Sequence, residues 1–247
     1  MKISEANFIT TFECSRLPLY NYNSIKLDHS QVVAIKTLKN VFLFLNDNPF
    51  EDLDTIIYQS FHKCIRYFSQ ENMPEIKQLF KYVTLFIYNF NKLYSFHKYR
   101  LLLFDLQVPS ESVYVNVNLK YDFILRDITT KRFSKKFVAV SFYPRIDNQI
   151  KRMQDFFEYK ALLLSERLEE SFNKVNVNFS VISYAKIRSE NDKKFKDELT
   201  SIQIDNSKIK NKDYYSKIFE TFYVLNKHKI NPFCTRFNCP KRSECFK

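Results

Sequence analysis

Hydrophobic residues recur every three to four positions through most of the first hundred residues, which is the period of an amphipathic helix. Three helices are predicted on this basis, over 32–45, 53–68 and 76–96. The polar breaks between them, at 46–49 and 70–74, each end in a proline and are typical of turns that precede a new helix. Packed helices would bury their many Phe and Tyr rings, so this aromatic content does not by itself indicate base stacking.

The hydrophobic period then changes to two. Between residues 113 and 126, apolar side chains at odd positions alternate with mostly polar ones, as in a β-strand. The run from Phe137 to Tyr143 is continuously apolar and has strand length, which predicts a central strand buried on both faces. Because a turn at 127–130 separates the two runs, they are expected to be antiparallel neighbours.

The remainder of the chain adds one long helix and one strand. Apolar residues line one face of a predicted helix over 150–168, and strand alternation returns over 175–181. The polar and charged segment 186–212 is expected to be a mobile insertion or a solvated helix, and a short helix is predicted over 218–225. This order of elements predicts an α/β protein with a single domain over residues 1–247.

Composition narrows the classes of function. The chain contains no glycine, so phosphate-binding loops of the P-loop or Rossmann type, which need glycine, are excluded. The formal net charge of +12 favours nucleic acid as a partner, although codon-driven lysine enrichment is the simpler alternative. Abundant Lys, Asn, Ile, Phe and Tyr suggest an AT-rich genome such as that of a phage or mobile element. Without a signal peptide or a run of about 20 apolar residues, a soluble, cytoplasmic protein with no membrane contact is expected.

Four of the five cysteines stand near the two ends of the chain, and they are Cys14, Cys234, Cys239 and Cys245. Disulfides are rare in the cytosol, so this arrangement indicates a metal centre, of which an iron–sulfur cluster is favoured. There are three alternatives. The thiols could bind zinc in a Cys3His site with His228 as the fourth ligand, they could form one disulfide in an exported protein, or they could be unliganded. Cys64 lies within a helical pattern and is expected to be a small buried residue.

The residues around these cysteines resemble a known family. The tail contains Cys-Pro-Lys-Arg-Ser-Glu-Cys at 239–245, and the head contains Cys-Ser-Arg-Leu-Pro-Leu-Tyr at 14–20. These segments resemble those of the iron–sulfur nucleases of the PD-(D/E)XK superfamily, which include RecB-like exonucleases, AddB-type subunits and CRISPR-associated adaptation nucleases. The spacing from Cys234 to Cys239 is two residues longer than in that family, and Ser15 replaces its proline.

The resemblance implies a restriction-endonuclease-like core and a 4Fe-4S cluster on Cys14, Cys234, Cys239 and Cys245. It implies a mainly helical part with the first cluster cysteine at 1–100, a nuclease-like core at 101–185, and a basic segment with the cysteine tail at 186–247.

The same resemblance suggests site residues. Asp122 matches the family's strand aspartate, and His62 resembles the helical histidine that completes its metal site. The strand over 137–143 occupies the place of the Glu-x-Lys motif, yet no acidic residue stands between Asp127 and Asp147. With that pair missing, Mg2+ or Mn2+ is not expected, because these hard ions require several oxygen ligands.

The helix over 150–168 departs partly from the family pattern. Tyr159 matches the tyrosine of a Gln-x-x-x-Tyr motif that contacts DNA or the metal-bound water, while Asp155 takes the place of its glutamine. Glu158 is the candidate for a migrated catalytic carboxylate, although a solvated helix charge is the simpler interpretation. Lys120, close to Asp122 on the predicted strand, is a candidate for nucleic-acid binding.

These observations predict an iron–sulfur protein of nuclease-like fold that binds nucleic acid, with DNA favoured, and whose catalytic site is degenerate. Such a protein would act with other protein subunits in replication, recombination, adaptation or phage transcription, in a bacterial or phage-infected cell. The first alternative is an active metal-dependent DNA exonuclease that uses Asp122, His62 and a migrated carboxylate. The second is a zinc-stapled protein-interaction module.

Overall fold

The computed structural model describes residues 5, 27–65, 73–111, 114, 116–130, 135–144, 150–171, 175–184, 199–204 and 209–227. Helices α1, α2 and α3 span His29–Asp47, Leu53–Ile65 and Met73–Leu93. Strands β1, β2 and β3 follow at Tyr99–Glu111, Asn116–Asp127 and Lys135–Pro144. Helix α4 at Ile150–Ser171 leads to β4 at Val175–Tyr184, β5 at Thr200–Ile204 and α5 at Lys212–Lys227.

The three N-terminal helices confirm the helical periodicity of the sequence. Helix α1 begins at a capping box, in which the Asp28 carboxylate accepts from the Gln31 amide and the Gln31 side chain accepts from the Asp28 amide. The Asp52 carboxylate caps α2 by accepting from the Thr55 amide. Helix α3 ends at Leu93 rather than at 96. The amide of Phe96, three residues beyond this end, donates a hydrogen bond to the side chain of Asn91 in the last turn.

The five strands form one mixed sheet in the order β1-β2-β3-β4-β5. Strands β2 and β3 are antiparallel neighbours, as predicted, whereas β3 and β4 are parallel and are connected through α4. Strand β1 was not predicted, although it pairs with β2 from Tyr99 to Glu111. The prediction of a solvated or mobile segment over 186–212 was wrong for 200–204, because this stretch pairs with β4 as an edge strand.

Helices cover both faces of the sheet. Helices α1, α2 and α3 pack on one face, and α4 and α5 pack on the other. Central strand β3 contributes Val138, Val140 and Phe142 to the first apolar layer, and Phe137, Ala139 and Tyr143 to the second. This two-sided burial explains why its sequence is continuously apolar. The α/β class is therefore shown, and no helix among the described residues is long and apolar enough to cross a membrane.

Candidate functional site

Strands β2 and β3 separate from each other part of the way along their length. Their paired residues run from Arg126 opposite Phe137 to Phe123 opposite Val140, and the ladder ends there. Beyond that point, the backbone groups of the two strands form hydrogen bonds with side chains instead of with each other. The Phe142 amide donates to Asp122 Oδ2 at 2.8 Å, and the Ser141 hydroxyl donates to the Lys120 carbonyl at 3.2 Å. We call the opening between these diverging ends, formed by Lys120, Asp122, Ser141 and Tyr143, the fork.

A break in the strand alternation of β2 accompanies the fork. Tyr121 faces α4, where its hydroxyl donates to the Lys160 carbonyl at 2.6 Å. Phe123 instead belongs to the apolar layer under the N-terminal helices, where its ring is 5.7 Å from that of Phe142. In a regular strand two residues separated by one position share a face. The change of face around Asp122 brings its carboxylate to the backbone of β3, where it satisfies an amide that the ladder has released.

A fully buried lysine from α4 enters the fork. The Lys160 side chain is 0 % exposed, and its Nζ donates to Tyr143 Oη at 2.6 Å and to Ser141 Oγ at 3.0 Å. The same nitrogen lies 4.7 Å from the centre of the Tyr121 ring, a favourable position for a cation. Burial lowers the pKa of Lys160, while the nearby carboxylates of Glu5 and Asp122 act in the opposite direction.

Glu5 supplies the counter-ion of this lysine. Its Oε1 lies 2.7 Å from Lys160 Nζ and accepts from Tyr143 Oη at 3.0 Å. Its Oε2 accepts from the Lys120 amide at 2.5 Å. The carboxylate is 14 % exposed, so it closes the fork at the boundary with solvent. A residue near the start of the chain thereby completes a cluster whose other members come from the sheet and α4.

Asp122 belongs to a second ion cluster at the outer side of the fork. Lys120 Nζ lies 3.3 Å from Asp122 Oδ1 and 3.2 Å from Asp105 Oδ1. Burial raises the pKa of Asp122, against the opposing effects of the Phe142 amide and Lys120. Burial alone would lower the pKa of Lys120, but the two carboxylates outweigh it and raise that pKa. Asp105 adopts φ 50°, a left-handed conformation that Asp and Asn tolerate better than most residues.

Two of the residues singled out in the sequence, Asp122 and Lys120, therefore meet in the fork, while His62 does not join them. His62 lies on α2, and its contacts within the described residues are with aromatic rings of the same helix. The centre of its imidazole is 4.2 Å from that of the Tyr58 ring and 6.0 Å from that of Phe61.

Glu158 and Tyr159 lie on α4 but contact α5 and β1 instead of the fork. Glu158 is buried, where it accepts from Gln154 Nε2 at 2.7 Å and from Tyr215 Oη at 3.2 Å. The Tyr159 hydroxyl is 2.5 Å from Ser110 Oγ, and its ring packs against α5. With 5 % of its surface exposed, Tyr159 has little area left for a nucleic-acid contact.

The cysteine predictions remain predictions, because Cys14, Cys234, Cys239 and Cys245 lie outside the described residues, as does His228. Cys64 is only partly buried, and its Sγ accepts a hydrogen bond from Asn40 Nδ2 at 3.2 Å. It therefore has a polar contact that the expectation of a small buried hydrophobe did not include.

Glu5 and Lys160, which fill the fork, were not among the residues that the sequence predicted. A signal for Lys160 was present, since it falls between Phe157 and Leu164 on the face of α4 that apolar residues line. A charged residue on such a face needs a partner in the core. Nothing near Glu5 in the sequence indicates its role, because its contacts are with residues more than a hundred positions away.

Comparison of the chain with models of protein families and with curated protein sequences found no match. Within the part of the chain that the structure describes, no group of three or more His, Cys, Asp and Glu side chains is arranged to hold a metal ion. What the fork offers chemically is a pair of carboxylates held by two lysines, with one of those lysines reaching solvent: Lys120 is 49 % exposed.

Proposed function

We propose that the protein binds nucleic acid, with DNA favoured, through a nuclease-like scaffold whose catalytic centre is degenerate. In this proposal the core is restriction-endonuclease-like, and the protein works as one subunit of a nucleic-acid-processing complex. The lack of catalysis is supported by the fork, whose carboxylates already have protein partners. The binding of nucleic acid is supported by the net positive charge of the chain.

All four carboxylate oxygens in the fork already have protein partners. Lys160, Tyr143 and the Lys120 amide engage Glu5, while Lys120 Nζ and the Phe142 amide engage Asp122. A divalent ion would have to displace these donors, and it prefers several oxygen ligands in near-octahedral geometry. The ammonium of Lys160 balances the negative charge of the carboxylates, as a bound metal ion would in an active nuclease. This favours a protein that no longer cleaves nucleic acid.

The proposed binding rests on electrostatics. A net charge of +12 attracts phosphates in general, and Lys120 places a partly exposed cation at the mouth of the fork. Lys39 adds a second cation nearby, with its Nζ 3.8 Å from Asp105 and 3.3 Å from the centre of the Phe104 ring. A strand of nucleic acid that follows this edge would meet both amines.

The proposal includes a 4Fe-4S cluster on Cys14, Cys234, Cys239 and Cys245, with zinc as the alternative occupant. Four thiolates are a ligand set that suits either. The flanking structure allows the two ends to meet, because Glu5 contacts Lys160 of α4 and Phe219 of α5 packs on the adjacent Tyr159. Nine residue steps separate Glu5 from Cys14, and seven separate the end of α5 at Lys227 from Cys234, so the segments span at most about 30 Å and about 24 Å.

The test is a binding and cleavage assay on labelled single-stranded and double-stranded DNA. We expect affinity to fall steeply with salt, because bound phosphates release counter-ions. Lys120→Ala should reduce the slope of log affinity against log salt by about 1, as expected for one lost phosphate contact. The control Glu220→Gln, which changes an exposed side chain on α5, should leave the slope unchanged. Absence of binding at low salt would contradict the proposal.

A second candidate, an active metal-dependent nuclease, is favoured by one observation. The structure gathers two carboxylates and a buried lysine, from Glu5, Asp122 and Lys160, in one fork. A metal held by carboxylates beside a lysine is a chemically sufficient set for phosphodiester hydrolysis. Cleavage with Mg2+ or Mn2+ that Asp122→Asn abolishes and Glu158→Gln preserves would establish this candidate. We expect no cleavage.

A further inference from the structure

A cavity of about 420 Å3 opens between α2 and α3. These helices cover one face of the sheet, and α4 covers the opposite face. Its lining consists of Asp54, Thr55, Ile57, Tyr58, Phe80 and Thr84. The volume lies within the range of sites that accept a small molecule or a protein side chain. None of the fork residues contributes to it, so it is a separate feature of the fold.

Two aromatic rings form walls at right angles to each other. The ring centres of Tyr58 and Phe80 are 6.0 Å apart with an interplanar angle of 87°. Tyr58 is 54 % exposed although it is a large aromatic residue. The faces of such rings carry negative potential and attract ammonium and guanidinium groups, most strongly where several rings surround the cation.

A carboxylate gives the cavity its charged group. Asp54 Oδ1 accepts from Tyr88 Oη at 2.6 Å, while Oδ2 makes no hydrogen bond or ion pair within the described ranges. The bond to Asp54 raises the pKa of Tyr88 to about 12, so the phenol stays a donor and holds the carboxylate in place.

Acidic and apolar residues stand next to the lining residues along the chain. Glu51 and Asp52 precede Asp54 at the start of α2, in a chain whose overall charge is strongly positive. Phe50, immediately before them, is fully exposed, and Leu85 on α3 is 41 % exposed. The carboxylates of Asp54 and Asp52 both act on Tyr88, so this face repels phosphates and suits a cationic partner instead of nucleic acid. The lining is mainly apolar, and it offers more apolar surface than a single small cation would cover.

We propose that this cavity is a docking site for a basic segment of a partner protein, which places an arginine or lysine side chain in the corner formed by the Tyr58 and Phe80 rings and onto Asp54. The cation meets two aromatic rings and a carboxylate. A neighbouring apolar side chain of the partner packs on Phe50 or Leu85. The inference goes beyond the proposed function, because it assigns a second surface, with opposite charge preference, to protein contacts.

The test uses a fluorescein-labelled, amidated peptide of alternating Arg and Leu residues, with fluorescence anisotropy measured on the full chain. The matched probe replaces each Arg with citrulline, which keeps the shape and removes the charge. We expect saturable binding of the Arg peptide and at least about tenfold weaker binding of the citrulline peptide, equivalent to about 1.4 kcal/mol. On a protein of net charge +12, non-specific attraction of a basic peptide does not explain such binding.

Three variants locate the site. Asp54→Asn and Tyr58→Ala should each weaken binding about five- to tenfold. Glu220→Gln, which removes one exposed carboxylate on α5, should leave affinity unchanged. Far-ultraviolet circular dichroism establishes that each variant is folded, and in the wild-type protein the Ile57 methyl resonance should shift on titration with the peptide.

Four outcomes overturn the proposal. One is the absence of saturable binding, and another is equal affinity of the wild-type and Asp54→Asn proteins. The third is displacement of the peptide by free spermidine at equal concentration, which would make the cavity a site for small polyamines and not for a protein partner. Concentration-dependent dimerisation that Tyr58→Ala abolishes would assign the surface to a second copy of the chain and would likewise contradict the inference.

Discussion

Replacement of Glu5 by alanine tests whether a buried ion pair holds the fork together. Lys160 is fully buried, and Glu5 Oε1 lies 2.7 Å from its ammonium. Removal of one partner from a buried ion pair costs about 3–5 kcal/mol, because the other charge is left uncompensated. The lysine can escape only by losing its proton, which at pH 7 costs about 4.6 kcal/mol for a group with an ordinary pKa of about 10.4. Both routes predict that the free energy of unfolding falls by about 3–5 kcal/mol.

Urea denaturation at pH 7, followed by circular dichroism, measures this loss. Lys160→Met should cost less than Glu5→Ala, because it leaves a carboxylate that can turn toward solvent in place of a buried ammonium. In the double variant the total loss should be smaller than the sum of the two single losses by at least about 2 kcal/mol, which is the signature of directly coupled residues. As a control, Glu170→Ala breaks the exposed pair with Arg167 and should cost under about 1 kcal/mol.

The pH dependence supplies an independent check. In the folded Glu5→Ala protein, burial still lowers the pKa of Lys160, and the opposing carboxylate of Glu5 is gone. Between the lowered pKa of this lysine in the folded state and its ordinary value, the unfolded chain therefore binds more protons than the folded chain does. Stability then rises with pH, and the deficit relative to the wild type shrinks toward the ordinary lysine pKa. A deficit under about 1 kcal/mol at pH 7, or one that does not change with pH, would refute this account of the fork.

Three further predictions concern other residues. Because burial raises the pKa of Asp122, Asp122→Asn should be more stable than the wild type at neutral pH. Thermal melts should show this difference in stability shrinking as the pH falls through the folded-state pKa of Asp122. A difference that grows on acidification would contradict the prediction. Asp105→Gly should be more stable than Asp105→Ala by about 1 kcal/mol in urea, since both remove the carboxylate but only glycine accepts φ 50° without strain. Cys239→Ala should abolish visible absorption of the anaerobically purified protein while Cys64→Ala preserves it, and an unchanged spectrum in Cys239→Ala would remove the iron–sulfur assignment.

Local pattern was sufficient for most of the secondary structure. The period of the apolar residues predicted α1, α2, α3 and α4, because each helix buries one face and its sequence records that face directly. The two-sided burial of β3 was likewise readable from its unbroken apolar run. Pattern was insufficient for β1 and β5, the two edge strands, since backbone pairing with a neighbour holds them and their own periodicity is weak.

The sequence by itself determined the helices and the antiparallel pairing of β2 and β3, and it singled out Asp122 as a candidate. Only the tertiary structure decided what surrounds that aspartate. Asp122 and Lys160 come together where the pairing of β2 with β3 ends and β2 changes the face of its side chains. The carboxylate of Glu5, from a distant part of the chain, fills the opening between the two strands. It also decided that Glu158 and Tyr159 pack against their neighbours instead of joining the fork. The physical reason is that periodicity reports which face of an element is buried, whereas the partners of a buried charge come from residues far apart in the chain.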